Sequence, residues 1–329
     1  MYCLSFWAIY AIFIINQLSA GADFQFYYDA GEQILFDPRN LYDVFGYQYM
    51  PSFAMFFAIT FSLIPYLIAG YLFYTLNYII GLFTIIELNK ILKLMNLKEK
   101  KHRFIFLWII SNGYFVFNQF KWNQAKYIVL IILLFVIRQE LQFRMDEKEK
   151  NLKFYLVNYS LLVFAIAIAP YFIFLLLIYL FEDIQIKSIF NQFNKKKFLI
   201  VICSFLLQNF LFIIFPSVLF DFLEGINHPI RDPKKINMLY LENLVNFSSS
   251  RMKSIILFSN ITLLLITCFL ILKKRLKLEY KFSFFLLAFL FIGVYSYQFH
   301  LALILFTFII LLFVPCLKKD YKGLDFLNN

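Results

Sequence analysis

The chain has 329 residues, 62% hydrophobic and only 16% charged, with 46 Phe and 22 Tyr. Soluble domains carry about 45–50% apolar residues, so this composition excludes an ordinary soluble enzyme and implies a polytopic α-helical membrane protein. The net charge of +11 does not imply a nucleic-acid partner, because the basic residues sit in short segments between apolar runs, as membrane orientation requires.

The first apolar run, 2–18, lacks a basic leader and is read as a retained span, not a removed signal. Residues 21–65 form a polar outer loop that is not counted as spanning. Within it, 23–36 reads as a short amphipathic helix, with Phe24, Tyr27, Tyr28, Gly31, Ile34 and Leu35 on one face. Residues 51–64 read as a second short helix, started by Pro51 and stopped before Pro65. It rises only about 21 Å, too little to cross upright, so it lies at the interface. The loop also carries Asp23, Asp29, Glu32, Asp37 and Asp43 among Tyr27, Tyr28, Tyr42, Tyr47 and Tyr49. An acidic, aromatic loop against a membrane suits a sugar or another polar group.

Spans follow at 66–92, 104–118 and, after a tight polar turn at 121–126, at 127–137. Residues 138–153 carry both signs of charge and leave the membrane. The run 154–181 is too long for one crossing and has Pro170 in its middle, so it reads as two short helices. Residues 198–220 are a span, 221–253 a second outer loop, and 254–272, 282–295 and 299–317 the last three spans. Neither alternating barrel strands nor metal-spaced cysteines occur: Cys3, Cys203, Cys268 and Cys316 all lie in or beside apolar runs.

Orientation follows from counting Lys and Arg. With the N-terminus cytoplasmic, the segments 90–103, 138–153, 187–197, 273–281 and 318–322 face the cell interior. They hold 6, 5, 4, 5 and 3 basic residues, so 23 of the 31. Counting 51–64 as a span would break this pattern. The expected architecture is therefore a single all-α domain, 1–329, of about ten transmembrane helices with two interfacial helices in the first outer loop. Both termini are cytoplasmic and Asp23 is on the outer face.

The run Asp23-Phe-x-x-Tyr27-Tyr28-x-Ala30-Gly31, then Leu41-Tyr42, then Phe45-x-Tyr47-x-Tyr49-x-Pro51, resembles the first outer loop of glycosyltransferase family 87. That family belongs to the GT-C superfamily of polyprenyl-phosphate-sugar transferases. Asn123-Gln124-Ala125-Lys126 resembles its Gly-Gln-x-Asn motif, and Ser296-x-x-x-His300 its Ser-x-x-x-His motif. The loop is also similar to mannosyltransferase I of GPI-anchor synthesis. Asn123 stands where the family has Gly, Lys126 where it has Asn, and Ala169-Pro170 where a Lys-Pro pair is common. These departures leave the donor headgroup and sugar open.

The resemblance implies a GT-C-like fold and a hexosyltransferase of the plasma membrane, with its active site on the outer face. It would move a hexose, mannose by resemblance, from a polyprenyl-phosphate donor to a glycan, lipid or protein acceptor. Asp23 would be the general base, against the competing reading of a helix N-cap. Asp29 is a candidate for acceptor or divalent-metal binding, against a solvated helix face; no second carboxylate completes a metal signature, so no metal is assigned. Tyr27, Tyr28, Tyr47 and Tyr49 are candidates to stack on a sugar, against an interfacial aromatic belt. Gln124 belongs to the substrate-binding set through its motif. Arg251 and Lys126 rank first among cations for the donor phosphate, ahead of Arg39, Arg231, Lys234, Lys235 and Lys253. Lys126 also reads as a side chain snorkelling to headgroups. His300, with Gln298 beside it, is a candidate to bond the phosphate or orient Asp23, against a histidine satisfied between helices. His228 reads as solvated and His102 as cytoplasmic. Two other classes compete: a lipid or solute transporter or flippase, which tends to show internal repeats not found here, and a degenerate, non-catalytic member.

Overall fold

The computed structural model describes residues 22–95, 123–145, 152–170, 173, 176, 195–227, 259, 262–267, 269–270, 281 and 284. Among the described residues the regular structure is helical and no strand occurs. The chain divides into two compact units, Met1–Pro170 with Lys196–Asp232, and Tyr171–Lys195 with Pro233–Asn329. In the second unit the longest described stretch is the helical segment 262–267, with Leu264 buried. The spans expected at 2–18, 104–118, 282–295 (but for Phe284) and 299–317, like Arg251 and His300, lie outside the described residues.

The first described element of the first unit is α1, Ala22–Phe36. A short 3-10 helix, Pro38–Asp43, is capped by the Asp37 carboxylate, which accepts from the Arg39 N–H. Helix α2, Pro51–Thr60, begins at Pro51, where the missing N–H costs nothing. It ends four residues before the expected Ile64, because 61–64 tighten into a turn ahead of Pro65. The core between α1 and α2 is aromatic. Tyr27 packs on Phe53 and Phe57 at centroid distances of 5.1 and 5.3 Å, and Phe57 on Phe73 at 5.1 Å. Such pairs contribute about 0.5–1.5 kcal/mol each beyond area burial. The two helices touch backbone to backbone at Gly31, where a Cβ would sit 2.8 Å from the Ala58 nitrogen. Of the expected apolar face, Phe24, Tyr27, Tyr28 and Gly31 are buried, Ile34 is half-buried and Leu35 is exposed, as the helix end leaves the core.

Helix α3, Tyr66–Leu94, is long and apolar enough to cross a membrane. Among the described residues it alone passes that test. Helix α4 runs from Lys126 to Met145, well past the expected end at 137. The charges that seemed to end it are satisfied sideways: Arg138 Nε donates to Glu87 on α3, and Lys90 Nζ lies 2.7 Å from the same carboxylate. At the other end, Asn77 Nδ2 donates to Asn123 Oδ1 at 3.0 Å, and Asn123 Nδ2 donates to the Gly70 carbonyl at 3.5 Å. Residue numbers rise together along both helices, so α3 and α4 are parallel. The chain leaves α3 beyond Glu87 and re-enters beside Asn77, at the opposite end.

Helix α5, Leu152–Ile168, returns antiparallel to α4, with the Phe143 and Phe154 rings 4.3 Å apart at their shared end. It stops ahead of Pro170, as the sequence predicts. Its far end holds the loop: the Met50 N–H donates to the Ala167 carbonyl at 2.9 Å.

The expected span 198–220 is not one helix. Helix α6, Lys195–Gln208, ends at a turn, α7 is the single turn Leu211–Ile214, and α8 is Pro216–Asn227. Pro216 lacks the N–H that would continue the ladder and forces Phe215 out of the helical region, to φ −124° and ψ 85°. Asn209 uses the break to accept from the Ser52 N–H at 3.3 Å. The expected second outer loop, 221–253, therefore begins within α8. That helix packs Phe222 on Tyr42 of the 3-10 helix, centroids 5.6 Å apart.

Candidate active site around Asp23

Asp23 lies in the first turn of α1, not ahead of it, so the N-cap reading fails: Ala22 is already helical. A carboxylate here is favoured by the helix dipole. One of its oxygens, Oδ2, accepts from Gln124 Nε2 at 2.7 Å, across a sequence separation of 101 residues. Hydrogen bonds to charged groups contribute about 1.5–3 kcal/mol, which makes this a firm joint between the loop and the 123–126 turn.

The turn presents Gln124 through an unusual backbone. Asn123 has φ +50°, the left-handed region that favours glycine, and Asn is among the few side chains that tolerate it. Its own amide then bonds Asn77 and Gly70, as above. Gly is the residue of the resembling motif at this position, and both residues fit the same backbone. Gln124 is buried, and its Oε1 finds no hydrogen-bond partner among the described residues.

Lys126 opens α4, ahead of the apolar run 127–137, and places Nζ 5.5 Å from the centre of the Tyr49 ring. Loss of hydration lowers its pKa to about 8, while the Asp23 charge pulls the other way. Tyr27 completes the cluster. Its hydroxyl is 3.1 Å from that of Tyr49, and the Ala125 backbone N–H donates to it. Burial raises the Tyr27 pKa well above the ordinary value, with the Tyr49 and Asp23 charges adding to it. Asp23, Tyr27, Tyr49, Gln124 and Lys126, from two distant stretches of chain, thus occupy one place.

The other tyrosines serve differently. The Tyr27 ring is fully enclosed, which leaves a sugar no face to stack on. Tyr28 is buried against Tyr66, and its hydroxyl donates to the Ile64 carbonyl at 2.8 Å. Tyr47 is buried and donates to the Met50 carbonyl at 3.0 Å. These rings are spent on packing and on backbone hydrogen bonds within the loop. Tyr49 alone of the four keeps more than marginal solvent contact.

Asp29 sits apart from Asp23, in an open cleft of about 350 Å³ lined by Glu32, Gln33, Phe36, Asp43, Val44 and Phe45. Burial and the Glu32 charge raise its pKa, and a hydrogen bond from Gln25 opposes them. Among the described residues no three His, Cys, Asp or Glu side chains converge as a metal would need. Sequence reasoning missed Asn77 and Gly70, which anchor the turn. The available signal was an Asn in the middle of the apolar run 66–92.

A carboxylate held by an amide, with a lysine charge acting on it, can accept a proton from a hydroxyl while an anion departs nearby. No family model, no curated protein and no solved structure matches the chain.

Proposed function

We propose that the chain is an integral membrane hexosyltransferase acting on a polyprenyl-phosphate-linked sugar at the outer face. The observation that carries this reading is the Gln124–Asp23 hydrogen bond. Two stretches singled out separately by their likeness to one transferase family meet at the carboxylate that would do the chemistry. The left-handed Asn123, where that family has Gly, supports the same correspondence.

In the reaction, the acceptor hydroxyl gives its proton to Asp23 and its oxygen bonds to the anomeric carbon. The bond from that carbon to the phosphate oxygen breaks, and the electron pair leaves with the polyprenyl phosphate. One base driving direct displacement inverts the anomeric centre. Lys126 offsets the charge of the departing phosphate, and the sugar is mannose by resemblance. The ten-span topology, with both termini cytoplasmic, is part of this proposal. The parallel run of α3 and α4 supports it, since a crossing at 104–118 would return the chain as their order demands.

The test supplies radiolabelled polyprenyl-phosphate-mannose to membranes holding the wild type or Asp23→Asn. Loss of the base should lower transfer by about 100-fold or more. Equal incorporation by the two would remove Asp23 from its role. No incorporation by the wild type with any polyprenyl-linked sugar would favour a carrier or a degenerate member.

A further inference from the structure

Gln124 has two polar ends, and one of them is engaged: Nε2 donates to Asp23 Oδ2 at 2.7 Å. An ionised carboxylate only accepts, so it takes the amide nitrogen and turns the oxygen the other way. That oxygen, Oε1, has no hydrogen-bond partner among the described residues, and Gln124 is 3% exposed. A buried acceptor without a donor is costly, and Leu or Met would fill similar space without that cost. Donation to a negative charge also polarises the amide and makes its oxygen a stronger acceptor. The backbone on both sides is held, Asn123 by Asn77 and Gly70 of α3 and Ala125 by the Tyr27 hydroxyl. Asp23, Tyr49 and Lys126 keep solvent contact, so a ligand enters the cluster on their side.

We propose that Gln124 Oε1 binds a hydroxyl of the donor sugar, the one on the carbon next to the anomeric centre. This rests on the reading of Asp23 as the base. Asp23 meets the acceptor at the anomeric carbon, so an amide bonded to Asp23 stands beside that carbon. The hydroxyl on the neighbouring carbon is then the nearest sugar group able to donate. It gives Oε1 a hydrogen bond and takes no other part in the transfer. One planar amide thus spans base and sugar and sets the distance between them. A hydrogen bond at this position strengthens as positive charge grows on the anomeric carbon. The same arrangement rejects a sugar that lacks the group, because the amide oxygen would be left buried and unpaired beside it.

The experiment compares transfer from radiolabelled polyprenyl-phosphate-mannose with transfer from its 2-deoxy and 4-deoxy counterparts. Membranes hold the full-length wild type, Gln124→Met or Asp23→Asn. The wild type should lose about 100-fold in kcat/KM on the 2-deoxy donor and less than about threefold on the 4-deoxy donor, whose missing hydroxyl lies across the ring. Deleting a hydroxyl also alters the sugar's own reactivity, but by the same factor for every protein, so a cycle over donor and residue cancels it. The 2-deoxy penalty should be smaller in Gln124→Met by about 30-fold or more. A penalty of equal size in the two proteins overturns the proposal and leaves the amide oxygen to water. If Gln124→Met does not fold, the wild type decides alone, since equal penalties on the 2-deoxy and 4-deoxy donors overturn it too. Either result beside an inert Asp23→Asn sinks this inference alone. Absent transfer in the wild type, or transfer surviving Asp23→Asn, removes the underlying reading as well.

Discussion

A carboxylate next to a lysine usually strengthens its hold on the proton; at Lys126 lost hydration outweighs that attraction, and the pKa falls to about 8. Two consequences run in opposite directions with pH. Above about 8 the folded chain holds Lys126 neutral, while the unfolded chain keeps it charged up to its ordinary value of about 10.4. The unfolded state then binds more protons, so this residue's contribution to stability grows as pH rises through that window. On the proposed reading transfer should instead fall above about pH 8, because the departing phosphate would lose its cation. Arg stays charged at any such pH, so Lys126→Arg should remove the alkaline limb from the rate profile. A limb that persists in the variant would belong to another group. Asp23, Gln124 and Lys126 were legible in the sequence because each interrupts or borders an apolar run, where a polar side chain is conspicuous. The fates of Tyr27 and Tyr28 were not. A tyrosine's identity does not tell whether its ring meets a ligand, a headgroup or, as here, Phe53, Phe57 and Tyr66.

Between elements, Gly31 lies close against α2, and Ser62 Oγ donates to the Tyr28 carbonyl at 2.9 Å. Gly31→Ala forces α1 and α2 apart and should destabilise the chain by about 1–3 kcal/mol, read as a lower thermal midpoint in detergent. Since α1 carries Asp23, transfer by the folded fraction should fall as well. An unchanged midpoint would mean that α1 shifts freely. The starts of α1 and α2 and the stop of α5 were readable from polar runs and prolines. The C-terminal end of α4 and the break after α6 were not. Hydrophobicity stops at Ile137, yet α4 continues, because Arg138 finds its counter-charge on Glu87, 51 residues earlier in the chain. Pro216 was visible in the run 198–220, but it accounts only for the break between α7 and α8; α6 already ends at Gln208, inside a run that stays apolar.

For the molecule as a whole, the proposed topology puts Asp43 outside and Lys93 inside; both are exposed in the structure. Single cysteines at these positions, with the 4 native cysteines replaced by Ser, give the check. Asp43→Cys should react with a membrane-impermeant maleimide in intact cells, and Lys93→Cys only after permeabilisation. The reverse pattern would place Asp23 in the cell interior. The parallel course of α3 and α4 was implicit in the charge count, which needed one crossing between them, whereas the meeting of Asp23 with Gln124 was beyond any count, since tertiary contact alone creates it. That meeting also bears on biosynthesis. The carboxylate emerges from the ribosome about a hundred residues ahead of the amide that holds it. A fragment ending short of the 123–126 turn would carry the carboxylate without the amide that bonds it, and on the proposed reading would transfer no sugar however well its early helices had entered the bilayer.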